Sequence, residues 1–329
     1  KIDESEIKRI RKIKDSKQRL MEAAKIQYEL FKDIHTDVTA WIAGYCSDST
    51  VRYNFGSSKK LRDKFFPAQN YQDITPSWMD IKRNIKLPSE IDEKLAEETG
   101  IHIGDGNLFV ETHKDGSGLS YHCSFHGDLI NEVQYHEEHV TSLVKELYNI
   151  IPNFARREKK NSIATLCKSK ALVLFKNKTL GLPIGKKTDI TIPQKIMNNF
   201  NLQKNCLVGI FDTDFSLQKY RLSGSMSSIK LMKQIHYILD KHNIHHKFKL
   251  FPTYGRILIP KKGAVKIIEE WKLNNIKHLS KYELYKQFGK YIPFSTTPER
   301  QAVLEGELEL TALERICKKR KKRKKLGRA

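Results

Sequence analysis

The sequence has 329 residues, of which 39% are hydrophobic and 30% are charged, so it can bury a sizeable core and is not a disordered chain. No apolar run reaches the roughly 18–20 residues of a membrane-spanning helix, and no membrane contact is expected. The five scattered cysteines lack CxxC spacing, which argues against a zinc finger or a disulfide framework. These features indicate an intracellular protein, either cytoplasmic or associated with the nucleoid.

The positive charge extends beyond the C-terminal tail. Sixty Lys and Arg against 38 Asp and Glu give a net charge of +22. The tail "KKRKKRKKLGR" (Lys318–Arg328) supplies nine positive charges and no negative one, which leaves +13 on the rest of the chain. Nucleic acid is the expected partner, because Lys and Arg that neutralise phosphates release condensed counterions. A solubilising surface is the alternative, and the tail itself is expected to be disordered.

Residues 1–86 are predicted to form a helical N-terminal region. Apolar residues recur every three or four positions between Glu6 and Ile34, as in one long helix or two. The segment from Asp37 to Gly56 would suit two short helices around a turn at Gly44, with Arg52 on the DNA-contacting helix of a helix-turn-helix. A generic small helical bundle explains this pattern equally well.

From Leu87 onward, helices and short strands alternate. The segment "LPSEIDEKLAEETGIHIGDG" predicts a helix capped by Ser89, with Asp92 as its capping-box partner, that ends at Asp105. A second apolar helix, "CLVGIFDTDF", ends at Asp214. Because a helix C-terminus carries partial negative charge, an acid there costs roughly 0.3–1 kcal/mol. Two such acids in one chain require an explanation.

The elements after the two acids repeat. A strand pair (107–125), a helix (132–150), a second strand pair (162–175) and a helix from about Gln194 are predicted after the first acid. The same order follows the second, with strands at 216–226, a helix at 228–244, strands at 246–252 and 255–260, and a helix from about Lys262. The two acids stand 109 positions apart, a suitable length for one such unit. The pattern predicts an internal duplication.

A glycine lies five residues before each acid. Gly100 precedes Asp105, and Gly209 precedes Asp214. A glycine inside a helix costs up to ~1 kcal/mol relative to alanine, but it permits close approach of another backbone. If the two helices pack through these glycines, their acidic ends meet. A shared divalent cation such as Mg²⁺ would then relieve the repulsion and assist phosphodiester hydrolysis.

The segment "LVGIFDTDF" (Leu207–Phe215) resembles the motif of the LAGLIDADG homing endonucleases, and "ETGIHIGDG" (Glu98–Gly106) resembles a divergent first copy. The resemblance covers about residues 87–289. It implies an α+β fold with two pseudo-symmetric αββαββα repeats, at 87–200 and 201–290, that form a DNA-binding saddle within one monomeric chain. The helical region 1–86 would precede these repeats, and an extension with the basic tail, 291–329, would follow them.

The resemblance also implies the catalytic site. Asp105 and Asp214 correspond to the metal ligands of the family, with Gly104 and Thr213 beside them in the predicted metal-binding set. Lys187, in "GKK", and Lys277, in "NIK", correspond to the basic residues that the family places near each metal. The expected cofactor is Mg²⁺ or Mn²⁺, with Ca²⁺ as a substitute that does not support cleavage.

In this family, antiparallel sheets read the major groove of double-stranded DNA. The resemblance therefore implies that the first hairpin of each repeat contacts DNA. Ordinary polar alternation on a half-exposed sheet is the alternative interpretation. The candidate DNA-binding residues on these hairpins are His113, Lys114, His122, Gln218, Lys219, Arg221 and Ser223.

The motifs depart from the family pattern at three positions. Phe215 replaces the expected glycine at a turn, where a bulky residue would be strained, and His102 and Ile103 replace Ile-Asp in the first copy. These changes leave open whether the chain cleaves. The histidines and cysteine at His122, Cys123, His126, His136 and His139 fit no usual zinc spacing and are expected to be surface and strand residues.

Three functions are compatible with these features. The first is a site-specific double-strand DNA endonuclease associated with intron or intein mobility. The second is a DNA-binding regulator of the same fold that does not cleave. The third is an RNA-binding splicing factor of the maturase type, in which Tyr282, Tyr285 and the basic tail would contact RNA.

Overall fold

The computed structural model describes residues 3–31, 34–45, 47–55, 74, 76–112 and 118–326. The chain divides into two compact units, Lys1–Lys86 with Ser169–Thr179, and Leu87–Lys168 with Leu180–Ala329. Within the described ranges, no helix combines the length and the apolar character needed to span a bilayer.

The first unit is helical. Its described helices are α1 (Glu4–Arg11), α2 (Ser16–Phe31), α3 (Thr36–Ile42), α4 (Ser49–Phe55), α5 (Trp78–Lys82) and α8 (Lys170–Lys178). Apolar residues of the first four helices, including Ile10, Leu20, Val38 and Val51, form one buried cluster. Helices α3 and α4 flank a turn at Gly44, which has a φ of +86° that suits glycine. The segment therefore has the local form of two short helices joined by a turn.

Helix α8 replaces the second half of the strand pair that the sequence predicted over residues 162–175. That prediction was wrong, because the apolar run "ALVLF" is helical. A short apolar run suits either a buried strand or a buried helix. Here the side chain of Ser169 accepts a hydrogen bond from the Leu172 N–H (3.0 Å) and caps the helix. The missing strand lies earlier, at Asn153–Arg157. Four of its five residues are exposed, so no apolar alternation marks it in the sequence.

The second unit contains the remaining elements. Its α-helices are α6 (Glu93–Asp105), α7 (Thr141–Tyr148), α9 (Gln194–Met197), α10 (Phe200–Asp214), α11 (Ile229–Lys241), α12 (Lys261–Lys266), α13 (Ile276–Phe288), α14 (Thr297–Leu304) and α15 (Leu310–Leu326). Two π-helical turns, Tyr135–Val140 and Ile267–Lys272, adjoin α7 and α12, and a 3₁₀ turn spans Glu158–Lys160. The strands are β1 (Gly106–Thr112), β2 (Leu119–Asp128), β3 (Asn153–Arg157), β4 (Ser162–Lys168), β5 (Ser216–Gln218), β6 (Arg221–Met226), β7 (Lys247–Leu250) and β8 (Gly255–Ile259).

The strands form two antiparallel sheets of identical topology, with the orders β1-β2-β4-β3 and β5-β6-β8-β7. In each repeat, a helix that ends on an acid precedes a hairpin, a further helix and a second hairpin. Each sheet buries one face, lined by Leu108, Phe125 and Ile163 in the first and by Leu222 and Ile257 in the second. The predicted α+β class with two αββαββ repeats is thus confirmed.

Helices α6 and α10 pack against each other at their glycines. A Cβ atom added at Gly100 would overlap the carbonyl oxygen of Cys206 and lie 3.1 Å from the Ile210 nitrogen. A Cβ added at Gly209 would overlap the carbonyl oxygen of Glu97. Both helices are buried over most of their length. Only glycine allows the two backbones to come this close. This packing explains why glycine is present inside each helix despite its cost in helix stability.

The start of α6 differs from the predicted one. Asp92, and not Ser89, is the N-cap, because its side chain accepts a hydrogen bond from the Leu95 N–H (2.8 Å). The sequence offered two good capping residues three positions apart, and Asp is as effective a cap as Ser. The helix therefore begins at Glu93, whose negative charge suits the first turn.

The basic tail is also more ordered than its composition predicted. It continues helix α15 as far as Leu326. Leu313 and Cys317 lie on the buried side of that helix. Arg320 forms an ion pair with Glu299 (2.6 Å) of α14. Lys and Arg are good helix formers. Two buried residues spaced four apart, together with one ion pair, therefore suffice to extend the helix into the basic run.

We expect Gly209→Ala to destabilise the protein. The added methyl group has no space against the Glu97 carbonyl oxygen, so the helices must move apart. The expected loss in free energy of unfolding is about 1–3 kcal/mol, measured by urea denaturation. The matched control is Asn201→Ala, an exposed change on the same helix α10, with an expected effect within about 0.5 kcal/mol. Equal stability of the two variants would show that the glycine contact is unimportant.

Candidate metal and nucleic-acid site

The acidic ends of α6 and α10 lie together. Asp105 and Asp214 are the last residues of these helices. A Cβ added at Gly104 would overlap the side chain of Thr213 and would lie 3.4 Å from Cγ of Asp214. The packing of the glycines upstream therefore brings the two carboxylates to one place.

Both carboxylates are costly to ionise at this site. Burial, followed by the negative charges of Asp214 and Glu132, raises the pKa of Asp105 from 3.8 to about 7. Burial also raises the pKa of Asp214, although the positive charges of Lys187 and Lys277 oppose that change. A site that penalises its own negative charge is one in which a bound cation would be stabilising.

Lys187 lies at the C-terminus of α6. Its Nζ donates to the carbonyl oxygens of His102 (3.4 Å), Ile103 (2.9 Å) and Gly104. A cation at this position interacts favourably with the helix dipole, so Lys187 offsets the cost of the acid that ends the helix. Burial lowers the pKa of Lys187, while the charges of Asp214 and Asp105 oppose that shift.

Lys277 is held by a buried acid. Its Nζ lies 2.6 Å from Oε1 of Glu132. The Asn275 side-chain amide donates to the same oxygen (2.9 Å), and the Asp128 N–H donates to Oε2 (2.8 Å). Burial alone would raise the pKa of Glu132, but the charge of Lys277 and these hydrogen bonds hold it below its usual value. Glu132 therefore fixes the position of Lys277 and contributes to the negative field at Asp105.

Asp212, two residues before Asp214, joins the end of α10 to the start of α13. Its carboxylate accepts hydrogen bonds from the N–H groups of Asn274 (2.9 Å) and Asn275 (3.0 Å). It is fully buried, and burial raises its pKa to about 7. Asn275 in turn caps α13, in which Lys277 lies in the first turn. Asp212 thus positions the backbone that carries this lysine.

Three residues of the site, Glu132, Asp212 and Asn275, were not predicted from the sequence motifs. Asp212 had a usable signal, because an acid inside an apolar helix requires a buried partner. Glu132 had none, since it lies 145 residues from the lysine that it contacts. Only the packed second unit brings it to the site.

The donor set fits a hard divalent cation. Carboxylate oxygens are the ligands that Mg²⁺, Mn²⁺ and Ca²⁺ favour. Of the other predicted metal residues, the Gly104 carbonyl oxygen accepts a hydrogen bond from Lys187, and the Thr213 hydroxyl donates to the Gly209 carbonyl (2.9 Å). Both groups already have partners. A metal at this position would depend on the carboxylates of Asp105 and Asp214.

The solvent face of the second sheet is polar and positively charged. Gln218 pairs with Arg221, and Ser216 with Ser223, so these residues share one face. Their common face continues onto β8 and β7, because Ser225 pairs with Arg256, and Arg256 with Lys249. Lys219 lies in the β5–β6 turn with a φ of +55°. The basic residues on this face and its turn are Lys219, Arg221, Lys247, Lys249 and Arg256.

Lys247, Lys249 and Arg256 are additions to the predicted DNA-binding set. The alternation of Lys and apolar residues in "KFKL" carried the signal for the first two, because alternate residues of a strand face the same side.

The solvent face of the first sheet is less charged. His122 lies on it, stacked on Phe109 with ring centroids 4.4 Å apart and 3.7 Å from Glu111. His126 lies on the same face, and burial, then the charges of Arg157 and Lys187, lower its pKa. The face therefore extends toward the lysine of the acid site. The predicted residues His113 and Lys114 lie outside the described residues.

Arg52 belongs to the first unit, on α4. Its Nε donates to Asp48 (2.6 Å), and this hydrogen bond is the largest cause of the lowered pKa of Asp48. The neighbouring Tyr53 is 92% exposed. The side chain of Arg52 is thus already paired on the surface of its own unit.

Phe215 does not strain the second motif. Its φ is −97° and its ψ is 155°, an extended conformation open to any residue, and Gly106 in the first motif has similar angles. The expected strain is therefore a wrong prediction. The ring is buried against Phe211, and a Cβ at Gly224 would lie 2.7 Å from it. A glycine in β6 thus makes room for the phenylalanine.

No protein-family model matches the chain, and no curated protein does. Solved structures of homing endonucleases are similar to it. Mesophilic variants of the homing endonuclease I-DmoI are 15% identical, with a TM-score of 0.44 over 55% of this chain and 96% of that one. I-DmoI in complex with DNA and Mn has the same identity and TM-score and is covered over 97%. I-SmaMI bound to uncleaved DNA with calcium is 11% identical, with a TM-score of 0.41 over 68% of this chain and 98% of that one.

The raised pKa of Asp105 predicts a pH dependence of stability. Between about pH 4 and pH 7 the folded state keeps a proton that the unfolded state releases, so the free energy of unfolding of the metal-free protein falls as pH rises. Asp105→Asn removes this contribution. At pH 8 the variant is expected to be more stable than the unchanged protein by roughly 1–2 kcal/mol, after allowance for solvent screening.

Urea denaturation in EDTA at pH 5 and pH 8 measures this difference. The matched control is Asp189→Asn, which removes an exposed acid outside the cluster. The same pH slope for Asp105→Asn and for the unchanged protein would contradict the electrostatic description of the site.

Proposed function

We propose that this chain is a site-specific, metal-dependent double-strand DNA endonuclease of the LAGLIDADG type. One observation carries the proposal: two helices packed through glycines end on Asp105 and Asp214 at one place, with Lys187 and Lys277 beside them. Both acids belong to one chain, so a monomer supplies a complete site. Because the proposed partner is duplex DNA, the protein would act inside the cell. Cleavage of a specific duplex is the activity that intron or intein mobility requires.

Asp105 and Asp214 would hold Mg²⁺ or Mn²⁺. When bound, such a cation supplies Lewis-acid stabilisation of the negative charge that develops on the scissile phosphate. The acids do not need to exchange protons during the reaction, because their role is to bind and orient. Two carboxylates from sister repeats also suit a duplex, whose two strands are related by a similar twofold axis.

The lysines contribute fixed positive charge. Lys187 is anchored by three carbonyl oxygens and Lys277 by Glu132, so both ammonium groups are held before any substrate arrives. Preorganised charge of this kind stabilises a developing phosphate charge without reorganisation during the reaction. Asp212 and Glu132 act as positioning residues for Lys277.

The sheet faces would lie along the duplex as a saddle. The second sheet presents basic residues from three strands, and the charge outside the C-terminal tail remains strongly positive. Arg221 and Lys249 suit phosphate contacts, while Gln218 and Ser223 can donate to base edges or to phosphates. His122 has a smaller role, since it is stacked on Phe109 and largely buried.

The proposal is tested by selection and cleavage. Duplexes with a randomised core are selected for binding in Ca²⁺, and the recovered sequence is then incubated in Mg²⁺ or Mn²⁺. We expect both strands to be cut. Asp105→Asn and Asp214→Asn should each lower the cleavage rate by on the order of 100-fold or more, the scale of losing one transition-state contact, while binding in Ca²⁺ is retained.

The matched control for cleavage is Asp189→Asn, with an expected rate equal to that of the unchanged protein. Cutting by Asp214→Asn at the full rate would contradict the assignment of the site. Tight binding in Ca²⁺ without cleavage in either metal would identify a DNA-binding regulator. Stronger competition by RNA than by the duplex at fixed salt would identify a maturase-type protein.

A second prediction concerns the sheet face. Arg221→Gln and Lys249→Gln each remove one proposed phosphate contact, so each should reduce the slope of log binding constant against log salt concentration by about 1. Fluorescence anisotropy with a labelled duplex measures this slope. The control is Lys195→Gln, an exposed lysine of α9 that lies on neither sheet. Unchanged slopes for the two sheet variants would remove this face from the DNA interface.

A further inference from the structure

A cluster of possible metal ligands consists of residues that do not belong to the acid site. His236 and Asp240 are four residues apart on α11 and therefore share one face, and His246 directly precedes β7. One ligand atom from each of these three residues lies within 4.8 Å of the others. This cluster does not include His136 or His139, which are hydrogen-bonded to Thr165 and Glu97, respectively.

The hydrogen bonds of His246 orient it as a ligand. Its Nδ1 lies 2.8 Å from the carbonyl oxygen of Ile244, an acceptor only, so Nδ1 carries the proton and Nε2 keeps its lone pair. Imidazoles that bind metals typically donate their other N–H to such a partner, which fixes the ring. The His246 side chain is only 2% exposed, so its orientation is set by the fold.

His236 is oriented toward the same point. Its Nδ1 lies 2.7 Å from Nε2 of His246 and 3.4 Å from Oδ2 of Asp240. Its ring stacks on Phe248, with centroids 4.5 Å apart. In the present hydrogen bond, the Nδ1 proton of His236 faces the lone pair of His246. Loss of this proton, with protonation of Nε2 on the same ring, would turn both facing nitrogens into ligands and leave the imidazole neutral.

The two separations from Nδ1 of His236 are close to those of a tetrahedral zinc site. Zinc–nitrogen distances of about 2.0–2.1 Å in a tetrahedron place two ligands roughly 3.3–3.4 Å apart. The His236–Asp240 separation of 3.4 Å already meets this value, and the two imidazole nitrogens need to separate by about 0.6 Å. Oδ1 of Asp240 lies 3.9 Å from Nδ1 of His246, the nitrogen that carries the proton, so the carboxylate must turn toward Nε2 to complete the site. Asp240 is 62% exposed and free to make this movement.

We propose that His236, Asp240 and His246 form a binding site for zinc or a similar transition metal. The three side chains supply two imidazole nitrogens and one carboxylate oxygen, and water completes the coordination. This donor set favours zinc, whereas the all-oxygen set at Asp105 and Asp214 favours magnesium. The metal would tie the end of α11 to the start of the edge strand β7 and so fix the strand that carries Lys247 and Lys249.

The test is a zinc titration of the full chain in excess Mg²⁺ against a chromophoric chelator, followed by replacement of zinc with Co²⁺. We expect one zinc site, a visible cobalt absorption typical of four-coordinate geometry, and a higher melting temperature with zinc. Asp240→Asn and His246→Ala should each weaken zinc binding about 100-fold or more, at least the effect of losing an outer-shell partner. Because Asp240 is exposed, its variant is expected to fold normally.

Two controls separate this site from others. His245→Ala removes the exposed histidine next to the cluster and should leave zinc binding unchanged. Asp214→Asn changes the proposed catalytic acid and should also retain it. Equal zinc affinity and stoichiometry in the unchanged protein, Asp240→Asn and His246→Ala would overturn the proposal, as would loss of the site in Asp214→Asn.

Discussion

The close packing of α6 against α10 is the constraint on which the site depends. At Gly100 and Gly209 each backbone fills the space where a side chain of the other helix would stand. This contact fixes the distance between the helices and brings their C-terminal residues together. It also joins the two repeats, since each contributes one helix and one sheet. Any residue larger than glycine at these positions would change the relation between the acids and the sheets.

The ends of these helices carry charges that are unfavourable on their own, and the surrounding residues offset each one. Lys187 satisfies the last carbonyl groups of α6, and the N–H groups before α13 satisfy Asp212. Glu132, from the first repeat, holds Lys277 of the second. The Glu132–Lys277 contact crosses between the repeats, so the folding of the first repeat orders a charge of the second. The cost that remains, at Asp105 and Asp214, is the one that a divalent cation would relieve.

The parts of the fold that the sequence predicted are those with local signals. The duplication was visible because the same order of helices and hairpins follows each acid. The two glycines and the two acids could be recognised in the sequence because each is unfavourable at its position in a helix. Helix α8 was missed because "ALVLF" fits two kinds of structure, and the choice depends on the Ser169 cap and on packing. Glu132 and the His236 cluster could not be found, because their partners meet only in the folded chain.

The geometry of the helix ends predicts that Asp105 and Asp214 share one divalent cation. Anomalous diffraction from crystals grown with Mn²⁺ and a bound duplex tests it most directly. We expect one anomalous peak within coordination distance of both carboxylates. Peaks confined to other parts of the chain, with the two carboxylates turned away from each other, would contradict it.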